Sequence, residues 1–415
     1  MLGLTFLAAV SLALWCYLVL ARGGFWRADQ RLPPARGAEV GPSVIAVVPA
    51  RNEADVVGAA ITSLLRQDYR PAPEVWLVDD GSTDGTAEVA RAAAEAAGES
   101  GRLVIVPAPP RPPEWTGKLW AMESGLAALR DAGLQPGYVL LTDADIRHEP
   151  RAIAALVARS ERHGLVLCSL MVRLHCMSLI ERLMIPAFVF FFQMLYPFSW
   201  VNGSRRRTAA AAGGCMLVRR VVLERAGGLP EIRNRLIDDC ALAGLMKPLG
   251  PIWLGLTAET VSLRPYDGLG AIWRMVARSA YEQLGHAPLA LLGTVLGMVL
   301  TYLVPPAALL AGMVLGEPVP VIFALATWAL MAIAYAPTLR LYGLGPGWAA
   351  ALPLVALLYV MMTVDSARRH WQGRGGEWKD RLAGGILPQT LAAPRDAAAE
   401  PGLRDPAGPP SGGAP

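Results

Sequence analysis

The stretch Tyr138–Pro150, YVLLTDADIRHEP, runs a strand-forming segment, Tyr138-Val139-Leu140-Leu141, straight into two carboxylates one residue apart, Asp143 and Asp145. Carboxylates at the end of a buried strand are costly unless something offsets their charge. The spacing therefore asks what these two acids hold. An Asp-x-Asp at a strand end suits a hard divalent cation, Mg²⁺ or Mn²⁺, which prefers a couple of carboxylates plus substrate phosphate oxygens. Alone, the same pattern is more often a solvated turn or a helix cap.

Its surroundings add weight. Upstream, Ser43–Val48 (SVIAVV) reads as a short buried strand that stops at Pro49, followed by an amphipathic helix over Ala54–Arg66 with Val57, Ile61, Leu64 and Leu65 on its apolar face. VWLVDDGSTDGT, from Val75 to Thr86, repeats the design, with a carboxylate-rich turn and an alanine-rich helix from Ala87. A third strand, Leu103–Val106, leads through a proline-rich loop to a helix around Lys118–Leu129. Strands alternating with helices predict an α/β domain with a parallel sheet covered on both faces, whose ligands sit beyond the strands' carboxyl ends. PARNEAD, DDGSTD and TDAD all fall at such ends, so acid-bearing loops gather at one sheet edge. There is no G-x-G-x-x-G after the first strand and no G-x-x-x-x-G-K-[ST], so a phosphate ligand would be held by a metal on carboxylates. Farther on, Asp238 and Asp239 open a helix with Leu242, Leu245 and Met246 on its apolar face. An acidic pair there is commonly a cap. The functional alternative is a general base for an acceptor hydroxyl.

Of the 415 residues 53% are hydrophobic and 17% charged, and mean hydropathy is +0.37. That is too apolar for an ordinary soluble chain of this size and too polar for a pure membrane bundle. Met1–Ala21, Ala287–Gly316, Pro318–Leu339 and Leu341–Val364 are uncharged and of membrane-spanning length, about 20 residues. The first lacks a basic leader region and a small-x-small cleavage site, and Arg22, Arg27 and Arg31 follow it. It reads as an uncleaved anchor that leaves the domain behind it in the cytoplasm. The expected organisation is an anchor over 1–21, an α/β domain over 40–285, further membrane segments over 287–364 and a basic, then disordered tail over 365–415. Three C-terminal spans would put that tail outside, against its basic bias, so one stretch is expected not to cross. Ala287–Gly316, broken by Pro305-Pro306, is the candidate. Leu183–Ser204 is also uncharged, but as a span it would separate the acidic motifs; it reads as a buried segment or an aromatic interfacial helix. Five scattered cysteines give no metal or disulfide pattern. A net charge of +4 with only three lysines gives no nucleic-acid stripe.

VVPARNEADVV, VDDGSTDGT, TGKLWAMESGL, LLTDADI, AAGGCMLVRR and IDDCALAGLMK, in this order, resemble a family 2 glycosyltransferase of the GT-A (nucleotide-diphospho-sugar transferase) fold. With ARGGFWR after the anchor and the C-terminal apolar stretches, the chain is similar to the hopene-associated subgroup. The resemblance implies a bacterial inner-membrane, multi-pass enzyme that transfers one sugar from a nucleotide-sugar, by default a UDP-sugar, to a lipid hydroxyl. It assigns Pro49, Arg51, Glu53, Asp79 and Asp80 to the base and ribose of the donor, and Lys118 to its vicinity. It assigns Asp143 and Asp145 to a metal-bound diphosphate, Gly213 and Gly214 to a loop beside the acceptor, and Asp239, after Asp238, to the base. The Q-x-x-R-W motif of processive members is absent, which points to single transfer. A nucleotidyltransferase shares the sheet but normally carries a glycine-rich, basic first loop. A non-catalytic scaffold would be favoured by loss of Asp145 or Asp239, and both are present.

Overall fold

Every second residue of the central strands is apolar on each side, and the sheet they form is dry on both faces. The structure, a computed structural model, describes residues 2–33 and 39–374; the tail expected to be disordered lies outside them from residue 375 on. Strands β1 (Val44–Ala50), β2 (Glu74–Asp79), β3 (Leu103–Pro107) and β4 (Tyr138–Thr142) are parallel. Ile45, Val47, Val139 and Leu141 enter one core, whereas Val44, Ala46, Val48 and Leu140 enter the other. Helices α2 (Ala54–Leu65), α3 (Thr86–Ala96) and α5 (Ala152–His163) cover the second face, and α4 (Gly117–Asp131) covers the first. Gly125 lets α4 sit close, because a Cβ there would lie 2.7 Å from Val47 and 2.8 Å from Val78.

Two expectations need correction. The first strand does not stop at Pro49 but runs through it to Ala50. Pairing with β4 ends at Val47 while pairing with β2 continues, so Pro49 sits where the strand is bonded on one side only and a missing N–H is tolerated. The sheet is also mixed. Adding β5 (Ile146–Arg147), β6 (Leu167–Arg173), β7 (Cys215–Arg219) and β8 (Ile252–Ser262) gives the order β3-β2-β1-β4-β7-β6-β8-β5. β7 is antiparallel to both β4 and β6. The chain between β6 and β7 makes no crossover to the far edge, so β7 starts at the edge where β6 ended. That reversal brings Gly213 and Gly214 to the carboxyl ends of the parallel strands.

Helix α6 (Leu179–Leu195) fills the connection; α7 (Asp238–Met246) and α8 (Gly268–Ser279) follow. Of the two readings of the uncharged run that begins at Leu183, burial wins. Met184, Ile185, Val189 and Phe190 are wholly enclosed, and the capping box of Ser178 and Glu181 starts the helix.

Four helices among the described residues are long and apolar enough to cross a membrane: α1 (Leu2–Ala21), α9 (Pro288–Leu315), α10 (Pro318–Leu341) and α11 (Leu352–Trp371) with the short turn before it. Phe190 packs on Phe25 and Tyr335, and Phe191 on Tyr302 and Tyr359, at centroid distances of 5.0–5.6 Å. These pairs fuse the long helices to the sheet core. Ala8 shares a small cluster with Ala308 and Ala324, whereas Trp26, beyond the other end of α1, lies near Pro337 and Arg340. α1 and α10 therefore point the same way, and α9 runs against them. The proline pair does not break α9, which continues for 28 residues through a π-turn at Val299–Leu303. Pro305 has no N–H for the Thr301 carbonyl four residues back. Trp15 of α1 supplies the donor instead, Nε1 to oxygen at 2.9 Å.

α11 differs from the other three. Its start follows closely on the end of α10. At its finish Asp365 accepts from Trp273 at 2.9 Å, Ser366 accepts from the Tyr281 N–H at 3.0 Å, and His370 stacks on His286 at 3.9 Å. Tyr281 and His286 directly precede α9, so both ends of α11 lie on the sheet side of the bundle.

Trp15→Phe keeps the ring but strands the Thr301 carbonyl. The variant should lose about 1–3 kcal/mol of stability, read as a lower unfolding temperature of the detergent-purified chain; an unchanged temperature would remove this bond from the account.

Candidate active site

Backbone hydrogen bonds first zip the two upstream loops together. Asn52, at a left-handed φ of 51°, accepts from the Thr83 N–H at 2.9 Å and donates its own N–H to Ser82 Oγ at 3.0 Å. The Glu53 N–H donates to Thr86 Oγ1 at 2.8 Å and that of Ala54 to Asp84 at 2.9 Å. Asp79 accepts from the Ser82 N–H at 2.9 Å. Arg51 donates to the Asp80 carbonyl at 2.5 Å and lies 3.8 Å from its carboxylate. Beside them opens a cleft of about 450 Å³ lined by Asp80, Gly81, Ala108, Pro109, Pro110 and Arg111. Pro49 is buried in β1, one step behind this rim.

The second half of the edge is a charge cluster. Lys118, near the start of α4, reaches Asp143 at 2.8 Å and Asp238 at 3.2 Å. Burial works against its ammonium, yet Asp143 and Asp238 hold its pKa well above the ordinary lysine value. Gly213 leaves room for it, since a Cβ there would lie 2.9 Å from Nζ. The Gly213 N–H donates to Asp239 Oδ2 at 2.9 Å, and the Cys240 N–H donates to Oδ1 at 2.7 Å. Burial, reinforced by the charge of Asp238, pushes the Asp239 carboxyl up to about 6. Asp143 is raised as well, chiefly by burial, with Lys118 opposing. Asp145 accepts from Ser262 Oγ at 2.8 Å, and Arg264 joins it at 3.6 Å to Glu53, with which the same guanidinium pairs.

The edge thus unites Arg51, Glu53, Asp79 and Asp80 on one side with Lys118, Asp143, Asp145, Asp238, Asp239 and Gly213 on the other. Gly214 turns inward: its carbonyl accepts from Thr142, and a Cβ would meet Val172 at 3.0 Å. No cluster of three or more His, Cys, Asp or Glu fit to hold a metal occurs among the described residues. Asp143 and Asp145 still fit a hard cation, as the two-carboxylate anchor that such an ion takes when substrate phosphate and water complete its shell.

Three contributors escape sequence reading. Arg264 and Ser262 sit at the end of β8, a strand whose site-side end shows only once the sheet order is known. A surplus of acids around a lone lysine was the available signal that another cation must lie nearby. Glu181 is the third. It is 1% exposed, and its carboxylate accepts from the N–H groups of Met177, Ser178 and Tyr266 and pairs with His175. Burial alone would raise its pKa, but these bonds take it down to about 2.

This arrangement, a mixed α/β sheet with acid-bearing loops at one edge, is of the GT-A fold type. Residues 45–227 match the model of the family described as Glycosyl transferase family 2. Among solved structures the chain is similar to a mannosyltransferase from Pyrobaculum calidifontis, in complex with GDP-Man and Mn²⁺. Identity is 22%, coverage 89% of this chain and 99% of that one, and TM-score 0.53. It also matches glucosyl-3-phosphoglycerate synthase from Mycobacterium tuberculosis, in complex with Mg²⁺ and uridine-diphosphate, at 23% identity over 59% of this chain and 80% of that one, with TM-score 0.36. No curated protein matches by sequence.

Because the Glu181 carboxyl is held low, its contribution to stability is complete above the ordinary value of 4.5 and lost as pH falls toward about 2. Glu181→Gln should cost about 2 kcal/mol at neutral pH, and its unfolding temperature should converge with wild type in strong acid. A pH-independent difference would show that packing, not charge, is what Glu181 supplies.

Proposed function

We propose that the enzyme transfers a single sugar from a nucleotide-sugar to the hydroxyl of a bilayer lipid, with a hopanoid as the specific candidate, by one inverting displacement. The observation that carries the reading is the meeting of Asp143, Asp238 and Lys118 beside an Asp239 poised near neutrality, at the edge where the donor loops converge. Arg51, Glu53, Asp79 and Asp80 would bind the base and ribose. Asp143 and Asp145 would hold Mg²⁺ or Mn²⁺, which stabilises negative charge on the leaving diphosphate. The P. calidifontis neighbour, holding GDP-Man and Mn²⁺, supports both partners.

Asp239 takes the proton from the acceptor hydroxyl as its oxygen bonds to the anomeric carbon and the carbon–diphosphate bond breaks on the opposite face. The N–H groups of Gly213 and Cys240 fix the orientation of its carboxylate. Lys118 keeps Asp238 and Asp143 from repelling it, and Gly213 permits that contact. A lipid acceptor agrees with the long helices, which share the core of the α/β domain through α6.

The same helices suggest an orientation. α1, α9 and α10 cross, α11 stays on the catalytic side, and the catalytic domain faces the cytoplasm of a bacterial inner membrane with the finish of α11 on the same side. The basic run around Arg368, Arg369 and Arg374 obeys the positive-inside rule in this arrangement. A topology reporter fused after Arg374 should score cytoplasmic; a periplasmic signal would mean that α11 crosses.

The test of function is Mn²⁺- or Mg²⁺-dependent nucleoside diphosphate release by the detergent-purified chain, over a panel of UDP- and GDP-sugars, with and without hopanoid-containing lipid extract. Lipid-stimulated release from one donor is expected. It should fall about tenfold per pH unit below about 6, as Asp239 becomes protonated. Asp239→Asn should bind donor normally and lose transfer by about 10²-fold or more; near-wild-type turnover would remove it as the base.

A further inference from the structure

A second cleft, of about 550 Å³, lies between the turn after α1 and the end of α10, lined by Trp26, Arg27, Arg31, Pro337 and Arg340. We infer that it binds the phosphate-bearing headgroup of an anionic bilayer lipid. None of its three guanidiniums has a carboxylate within ion-pair distance among the described residues, whereas those of Arg51, Arg102, Arg130, Arg151 and Arg264 do. Asp29, the nearest acid in sequence, is engaged by the Gln30 amide at 3.2 Å instead. Three unpaired cations in one concavity repel each other until an anion joins them, and a phosphate diester with a glycerol arm matches both the charge and the Trp26 and Pro337 walls.

The backbone that carries these arginines is preformed. Gly23 and Gly24 take left-handed φ of 63° and 59°, and Ala28 one of 51°. Arg31 Nε donates to the Ala28 carbonyl at 3.0 Å, and the Gln30 carbonyl accepts from the Leu256 N–H at 2.7 Å, which pins the turn to the sheet. Trp26 Nε1 donates to the Val19 carbonyl at 3.0 Å.

Position decides which phosphate. The cleft joins the catalytic-side ends of two apolar helices, and Leu20, in the last turn of α1, is 83% exposed. Next along the same belt, Arg22 and Arg206 lie over the Trp200 ring at 5.0 and 5.1 Å. Arginine with tryptophan at helix ends is the composition of a membrane boundary, where lipid headgroups are concentrated and free phosphate is dilute.

The test is lipid retention by the full chain in detergent, followed by native mass spectrometry with phosphatidylglycerol, phosphatidylcholine or inorganic phosphate. The wild type should retain phosphatidylglycerol over phosphatidylcholine, and the preference should fall about fivefold for each arginine removed across Arg340→Gln and the triple variant Arg27→Gln/Arg31→Gln/Arg340→Gln. Arg340→Gln alone touches only an exposed helix end, so its result stands even if the triple variant does not fold. An undiminished preference in Arg340→Gln, or displacement of phosphatidylglycerol by millimolar inorganic phosphate, would overturn the inference, the latter by making this a general anion site. Loss of all lipid retention by the wild type would equally overturn it, and would leave the diphosphate-release assay of the catalytic site unaffected.

Discussion

Helix α6 buries aromatic and aliphatic side chains on two flanks along its middle turns, and much of the architecture follows from that. Phe190 faces Phe25 and Tyr335, Phe191 faces Tyr302 and Tyr359, and the other flank belongs to the sheet core. A helix that buries aromatic rings in both directions makes the long helices part of the catalytic domain's own core. It also explains the strand reversal at β7, because the chain spends the connection on the site side of the sheet. Its first turn then returns to the chemistry: Glu181 holds the Tyr266 N–H, and Tyr266 stands two residues from Arg264.

At the sheet edge the governing constraint is charge. Carboxylates from several loops converge where water is partly excluded, and the chain answers with cations of its own. Lys118 ties Asp143 to Asp238, and Arg264 ties Asp145 to Glu53. The two ties run between different loops, so they set the spacing of the edge as well as its charge. What Asp239 gains is a neighbour of like charge under burial, the combination that lifts a carboxyl toward neutrality.

Much of this was legible in the chain. TDAD, DDGSTD and PARNEAD announce themselves because strand periodicity stops where acids begin, a local signal. The apolar stretches were equally plain, since length and composition suffice for them. What stayed hidden depends on long-range pairing. β7 reads as a glycine-led motif, and only its partners β4 and β6 reveal its direction. Arg264 is an ordinary loop arginine until β8 is seated beside β6. Pro49 looked like a strand stop because local propensity does not know that β4 has already let go of β1. Nor could composition distinguish α11 from α9, which differ in where their ends lie rather than in hydropathy.

The bond from Trp15 to Thr301 joins residues 286 positions apart. α1 therefore carries an indole N–H whose acceptor lies far downstream in the chain, and α6 precedes its aromatic partners Tyr302, Tyr335 and Tyr359. The core around α6 is complete only once Tyr302 of α9 and Tyr335 of α10 are in place. A chain stopped before residue 288 would be left with an unfinished hydrophobic seam. Quality control during biogenesis, rather than loss of an active-site group, would decide the fate of such a fragment.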